Sequence, residues 1–183
     1  MENCTSPVEI YIAGINYDSL VDGEGVRVSI FVSGCNRHCK GCFNERAWDF
    51  TYGRLLDEDL MQKILEAVER PYISGVTIVG GEPMDHENVR GVFDLLNRIL
   101  THCRIKNLCR NVWVYSGYSF EELLHRCESL DVLLHTDVLV DGPFEEELRN
   151  VTLPFRGSAN QRIIDVKKSI AQDKVVLWTP RGE

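Results

Sequence analysis

What most restricts the fold of this chain is a repeated order of short apolar strands and amphipathic helices. "VRVSIFV" at 26–32 alternates Val26, Val28, Ile30 and Val32 against Arg27, Ser29 and Phe31, the period of a strand, with apolar residues on both faces. "DEDLMQKILEAVER" at 57–70 places Leu60, Ile64 and Val68 on one helical face beside Met61 and Leu65, with Asp57 as cap and Pro71 as stop. "GVTIV" (75–79) predicts a second strand, and apolar residues from Asp85 to about His102 recur at three and four, predicting a second helix. "NVWVYSG" (111–117) predicts a third strand. Ser119 with Glu122 forms a capping box that opens a third helix, with Phe120, Leu123, Leu124 and Cys127 as its inner stripe. "TDVLVDG" (136–142), "NQRIIDV" (160–166) and "KVVLW" (174–178) are the remaining strand candidates.

Repeated strand–helix units imply an α/β fold, a parallel sheet with helices outside. At 183 residues the chain is short for a closed eight-unit barrel, which takes about 250. An open partial (β/α) barrel with parallel strands is therefore expected, as one domain over 1–183 with no linker to divide it. In such folds sites gather at the carboxyl ends of the strands. The cysteine loop, "GGEP", "YSGY" and "VDGPF" all fall there.

The first of these loops, "SGCNRHCKGCFN" (33–44), holds Cys35, Cys39 and Cys42 at spacing C-x3-C-x2-C. The chain has seven cysteines, and in a reducing compartment clustered thiols point to metal or redox chemistry rather than disulfides. Cys4, Cys103, Cys109 and Cys127 are scattered and read as small packed residues. Thiolates bind zinc or iron–sulfur clusters. Structural zinc, with His38 or Cys4 as fourth ligand, is one reading, although zinc sites usually draw ligands in pairs from two places. A cubane 4Fe–4S cluster held by three cysteines is the other, and leaves one iron open to a small chelating molecule. Arg37 and Lys40 read as solvated loop residues. In "GGEP", Gly80 and Gly81 allow close backbone approach and Glu82 can accept from an ammonium group.

The charge balance, 20 basic against 28 acidic residues for a net −8, gives no electrostatic support for a nucleic-acid partner. No apolar run reaches the length of a membrane span, and the N-terminus lacks the pattern of a secretory signal, so a cytoplasmic location is expected.

C-x3-C-x2-C followed by the aromatic Phe43 resembles the signature of the radical S-adenosylmethionine superfamily. The ordered set "VDGEGVR…FVSGCNRHCKGCFN", "GGEP", "WVYSGY", "VLVDGPF" and "RGSANQ", from about Val21 to Gln161, resembles one branch: the anaerobic ribonucleoside-triphosphate reductase activating proteins, activases of a glycyl-radical enzyme. The resemblance implies a radical S-adenosylmethionine type of barrel. It implies that Cys35, Cys39 and Cys42 ligate a 4Fe–4S cluster. Gly41, Cys42 and Phe43 would line S-adenosylmethionine, with Phe43 near the adenine. Gly80, Gly81 and Glu82 would hold its methionine end, and Ser116 with Tyr118 are candidates for ribose or carboxylate contacts. The implied activity is reductive cleavage of S-adenosylmethionine to methionine and a 5′-deoxyadenosyl radical, which forms a glycyl radical on the large reductase subunit. Reduced flavodoxin is the kind of electron donor implied. No acid or base is assigned, and Asp141 and Gly142 are read as a rim turn near the site. Arg156, Gly157, Ser158, Asn160 and Gln161 are read as shaping the adenine end or a partner surface. Glu24 stands where the branch commonly has proline, residues 1–20 look like an N-terminal extension, and 101–110 looks like an expanded loop. Three other readings stay open: an activase of another enzyme such as pyruvate formate-lyase, a small-molecule enzyme such as 7-carboxy-7-deazaguanine synthase, and a zinc-binding interaction module.

Overall fold

The computed structural model describes residues 9–180. One seven-stranded sheet, in the order β3-β1-β2-β4-β5-β6-β7, organises them. Its strands are β1 (Tyr11–Ser19), β2 (Val26–Val32), β3 (Arg54–Leu55), β4 (Ile73–Gly80), β5 (Asn111–Tyr115), β6 (Val138–Asp141) and β7 (Arg162–Asp165). Between them run α1 (Glu58–Glu69), α2 (Val89–Ile105), α3 (Phe120–Leu124) and α4 (Cys127–Leu134), and α5 (Val166–Gln172) follows β7. β2, β4, β5 and β6 pair in parallel, as expected of strand–helix units. The flanks differ from the all-parallel expectation: β1 is antiparallel to both β2 and β3, and β7 is antiparallel to β6. A loop without a full crossover helix returns the chain in the opposite direction, so these edge strands pair antiparallel.

The period of two in each central strand divides the sheet into two chemistries. Val28, Ile30, Val76, Ile78, Val112, Val114 and Leu139 face the helices and join one core with Met61, Ile64, Val68, Leu95, Leu96 and Ile99. The opposite face carries Trp113, Val138, Val140 and Ile163, packed with Tyr115, Phe155 and Trp178. Trp113 meets Phe155 and Trp178 edge-on at centroid distances of 5.4 and 5.0 Å. On that face Arg27 is fully buried. Its Nε donates to Thr77 Oγ1 (2.7 Å), its Nη1 to Asn111 Oδ1 (2.7 Å) and its Nη2 to the Val76 carbonyl (2.6 Å). Thr77 Oγ1 in turn donates to the Asp22 carbonyl (2.8 Å), and Arg27 Nη1 to that of Glu24 (3.1 Å). The "VDGEG" turn is thus tied over this face through main-chain oxygens, so Glu24 in place of proline leaves the tie intact.

Residues 11–19, within the expected N-terminal extension of 1–20, form β1 between β2 and β3; Cys4 lies outside the described residues. Three readings are corrected. Residues 101–105, expected in a loop, are the last turn of α2, where Cys103 is buried against the core. The third helix is two helices: Arg126 is extended (φ −107°, ψ 104°), which restarts the helical phase, leaving Cys127 exposed and not on the inner stripe. Residues 174–178 form no strand but one bridge, Leu177 to Ile164, held by Asp165 N to the Val176 carbonyl (2.9 Å) and Trp178 N to that of Ile163 (2.8 Å), with the Trp178 ring packed on Trp113.

The Ser119 capping box is present: Ser119 Oγ accepts from Glu122 N, and the Glu122 carboxylate accepts from Ser119 N at 2.7 Å. Ser119→Ala should cost about 1 kcal/mol, read as a lower urea midpoint with an unchanged slope. No helix among the described residues is long and apolar enough to cross a membrane.

Candidate functional site

The loops that follow β2, β4, β5 and β6 meet at one edge of the sheet around a cavity of about 610 Å³. The cysteine loop is shaped by its main chain. Gly34 N donates to the Ala47 carbonyl (2.8 Å), Cys35 N to that of Trp48 (3.1 Å) and Cys42 N to that of Cys39 (3.1 Å). Gly34 has φ +93°, and a Cβ there would overlap the Phe50 ring, so only glycine serves. Cys35 is buried, Cys39 and Cys42 are half-buried, and all three line the cavity. Burial pushes the Cys35 thiol up, while the backbone N–H groups of Arg37 and His38 oppose that rise.

The donor set can be tested against its two metal readings. Three sulfurs on a single zinc, at about 2.3 Å each, would sit roughly 3.8 Å apart. Among the described residues, the metal-ligating side chains that gather in threes within 4.8 Å are Asp85, His86 and Glu87 only, so the three thiols are not all drawn together to the separations a single zinc requires. Ligands on separate irons of a polynuclear cluster need no such close approach. His38, the nearby candidate for a fourth zinc ligand, has its ring tilted 36° against Trp48 at a centroid distance of 4.5 Å.

"GGEP" follows β4 and locks onto this loop. Gly81 N donates to the Val32 carbonyl (2.7 Å) and Glu82 N to that of Gly34 (2.8 Å). A Cβ on Gly80 would strike Val32, and one on Gly81 would strike the Gly34 carbonyl. The glycines therefore serve first to bring the "GGEP" strand end against the cysteine loop. Glu82 is 1% exposed. Its Oε1 accepts from Ser116 Oγ (2.8 Å) and Met84 N (3.0 Å), and its Oε2 from Gly117 N (2.7 Å). Burial pushes its carboxyl up, opposed by these donors and by the charge of Arg37. Ser116, also buried, thus belongs to the Glu82 network, and its Oγ accepts from Tyr118 N at 3.1 Å.

Phe43 lines the same cavity with its side chain fully exposed. Gly41 has φ +71° and lies against Glu146. Lys40 is solvated, as expected, and pairs with Glu146 (3.1 Å) and Glu147 (3.3 Å), joining the cysteine loop to the segment after β6. Arg37 is not solvated: it is half-buried, lines the cavity and lies over the Tyr118 ring at 4.6 Å. Asp141 accepts from Phe120 N (2.7 Å) and from Arg162 Nε (3.0 Å), a structural role that agrees with assigning it no chemical step. "RGSANQ" folds the segment after β6 back onto the rim. Arg156 Nη1 donates to the Gln161 carbonyl (2.8 Å), Gln161 Nε2 to that of Gly142 (3.1 Å), and Asn160 Nδ2 to that of Pro143 (2.7 Å). Ser158 is buried beneath the cavity wall, where its Oγ accepts from Glu145 N (3.2 Å), and Gly157 lines the cavity.

Asn88 was not singled out from the sequence. Its Nδ2 reaches the carbonyls of Ser33 (2.9 Å), Gly34 (3.1 Å) and Glu82 (3.0 Å), bracketing both loops at once. Asp85 assists by accepting from Asn36 Nδ2 at 3.1 Å. The available signal was an Asn just before a helical pattern. That position ordinarily predicts a cap, and here the amide makes no cap bond.

A sheet-edge cavity with three cysteines in one loop is the site of a protein built on a single iron–sulfur cluster, and the family model described as "4Fe-4S single cluster domain" matches residues 21–164. Three curated relatives are named anaerobic ribonucleoside-triphosphate reductase-activating protein. Those of Pasteurella multocida and Haemophilus influenzae are each 37% identical over 146 residues, covering 79% of this chain and 90% of theirs. That of Enterobacteria phage T4 is 32% identical over 154 residues, covering 81% and 93%. The chain belongs to the family of anaerobic ribonucleoside-triphosphate reductase-activating proteins, and the resemblance read from its motifs is borne out.

Proposed function

We propose that this chain is an enzyme that activates anaerobic ribonucleoside-triphosphate reductase by forming a glycyl radical on the large subunit. The observation that carries the reading is the convergence of three thiols and a buried carboxylate on one cavity, in a chain whose relatives bear the activating name. Cys35, Cys39 and Cys42 would hold a 4Fe–4S cluster, three protein ligands for its four irons. When bound, the cluster and S-adenosylmethionine supply a one-electron reductive cleavage to methionine and a 5′-deoxyadenosyl radical, the species that takes hydrogen from glycine. The protein positions and shields. Gly80, Gly81, Glu82 and Ser116 hold the methionine end; Oε2 of Glu82 takes one protein donor and keeps a lone pair for the ammonium. Gly41, Cys42 and Phe43 line the remainder, and the exposed Phe43 ring supplies a face for the adenine. The sheet, with antiparallel flanks and no closure between β3 and β7, is read as an open partial barrel of the radical S-adenosylmethionine type, in one domain. Its open edge admits a protein loop. Reduced flavodoxin is the proposed donor, and the cytoplasm the proposed location.

The test is anaerobic reconstitution with iron and sulfide, then incubation with reductant, S-adenosylmethionine and the large reductase subunit. A glycyl-radical signal by spin resonance, dependent on all three, is expected. A radical on pyruvate formate-lyase and none on the reductase would replace this reading with that of another activase. A colourless, zinc-loaded product would return the interaction module.

A further inference from the structure

Arg37 stands between two of the three loop cysteines, and among the described residues no carboxylate forms an ion pair with it. It is half-buried and lines the cavity with Cys35, Glu82 and Gly117. Its Nε is sealed from solvent without an acceptor, and among the described residues no hydrogen bond or ion pair takes up the guanidinium. Glu82 and Glu122 both feel its charge, yet neither lies within the 4.0 Å of an ion pair. Both carboxylates are engaged elsewhere: Glu82 with three donors, Glu122 with the Ser119 N–H and hydroxyl. The placement is nonetheless built. The guanidinium stacks on Tyr118 at 4.6 Å, and Arg126 lies over the same ring at 4.4 Å. Gly117 makes room, since a Cβ there would overlap Arg37 Nε and Cδ. The buried Nε lacks an acceptor and the terminal nitrogens stay reachable by water, so an oriented guanidinium with no ion pair on a cavity wall marks where a ligand anion belongs.

Resting on the reading of this cavity as the S-adenosylmethionine site, we propose that Arg37 recognises the α-carboxylate of the bound S-adenosylmethionine. The amino-acid end of that molecule is a zwitterion. Glu82 and Arg37 offer opposite charges on one cavity wall without forming an ion pair with each other. The ammonium pairs with Glu82, and the carboxylate meets the guanidinium fork, which matches a carboxylate bidentately.

The experiment compares S-adenosylmethionine with decarboxylated S-adenosylmethionine, which keeps the sulfonium and the ammonium. Equilibrium dialysis uses anaerobically reconstituted wild type, Arg37→Gln and Arg37→Lys, each matched for iron content. Arg37→Gln should weaken S-adenosylmethionine by about tenfold or more and leave the decarboxylated ligand within about twofold. Arg37→Lys, a point charge without a fork, should fall between. Any contact of the carboxylate with the cluster would be common to all three proteins, so the change in ratio isolates Arg37. An equal loss for both ligands, or no loss for either, overturns the assignment; should Arg37→Gln fail to hold iron, the ratio in Arg37→Lys decides the same question. If wild type binds neither ligand, the reading of the cavity falls and the assignment of Arg37 falls with it; binding by wild type with an unchanged ratio in the variants overturns the assignment of Arg37 alone.

Discussion

Cys39→Ala is expected to yield a folded, nearly colourless protein after reconstitution, with S-adenosylmethionine cleavage lowered at least a thousandfold. Residues that merely support a metal ligand are worth about 10–100-fold in affinity or activity, and loss of a ligand exceeds that. The fold should survive, because the loop bond at this position runs from Cys42 N to the Cys39 carbonyl and alanine keeps it. The half-buried thiol leaves only a small void. Cys109→Ala is the control: Cys109 is exposed and distant in sequence from the loop, so iron content and cleavage should match wild type. Iron per chain and methionine release are the measurements. Full iron and undiminished cleavage in Cys39→Ala would remove the three-cysteine cluster from the mechanism.

Glu82→Ala should damage both binding and fold. The carboxylate is buried and satisfies Ser116 Oγ, Met84 N and Gly117 N, so alanine leaves those donors unpaired away from water. Each such orphan costs about 1–3 kcal/mol, so a loss of roughly 2–4 kcal/mol is expected after partial relaxation. Affinity for S-adenosylmethionine should fall about a hundredfold, as the ammonium partner goes and the "YSG" turn loosens. Glu82→Gln separates the effects: it fills the space, but its single acceptor oxygen meets three donors and its amide N–H groups oppose them. Urea midpoints and equilibrium dialysis report the two losses. Unchanged affinity in both variants would make Glu82 a purely structural brace.

The same residue predicts a pH dependence. Burial pushes the Glu82 carboxyl above its ordinary range, so near and above the unfolded value the native state holds its proton more firmly than the unfolded chain. Its contribution to stability is then full below the unfolded value and declines as pH rises through the native one. Wild type and Glu82→Gln should therefore differ most at low pH in urea midpoint, with the gap narrowing as pH rises.

Much of this molecule was legible from local pattern. The period of two in 26–32 and 75–79 and the three-and-four spacing of α1 and α2 reappear as elements. So does the Ser119–Glu122 box, because each depends on neighbours within one turn or one strand. The C-x3-C-x2-C spacing, with the ordered motifs around it, carried the family. What one strand or helix could not carry was direction and partnership. Residues 11–19 are a strand only because β2 and β3 offer free edges on either side, and β7 runs antiparallel because no crossover helix precedes it. The break at Arg126 and the reduction of 174–178 to a single bridge on β7 were likewise settled outside the local pattern. Side-chain destinations divide in the same way. Sequence alone determined that three thiols, two glycines and a carboxylate stand at strand ends. Only the tertiary structure decided that the glycines clasp the cysteine loop, that Asn88 bolts both loops together, and that Arg37 turns inward to an unpaired place beside Glu82. Those outcomes rest on contacts between segments about 35 to 80 residues apart, where burial and hydrogen-bond satisfaction act and local periodicity says nothing.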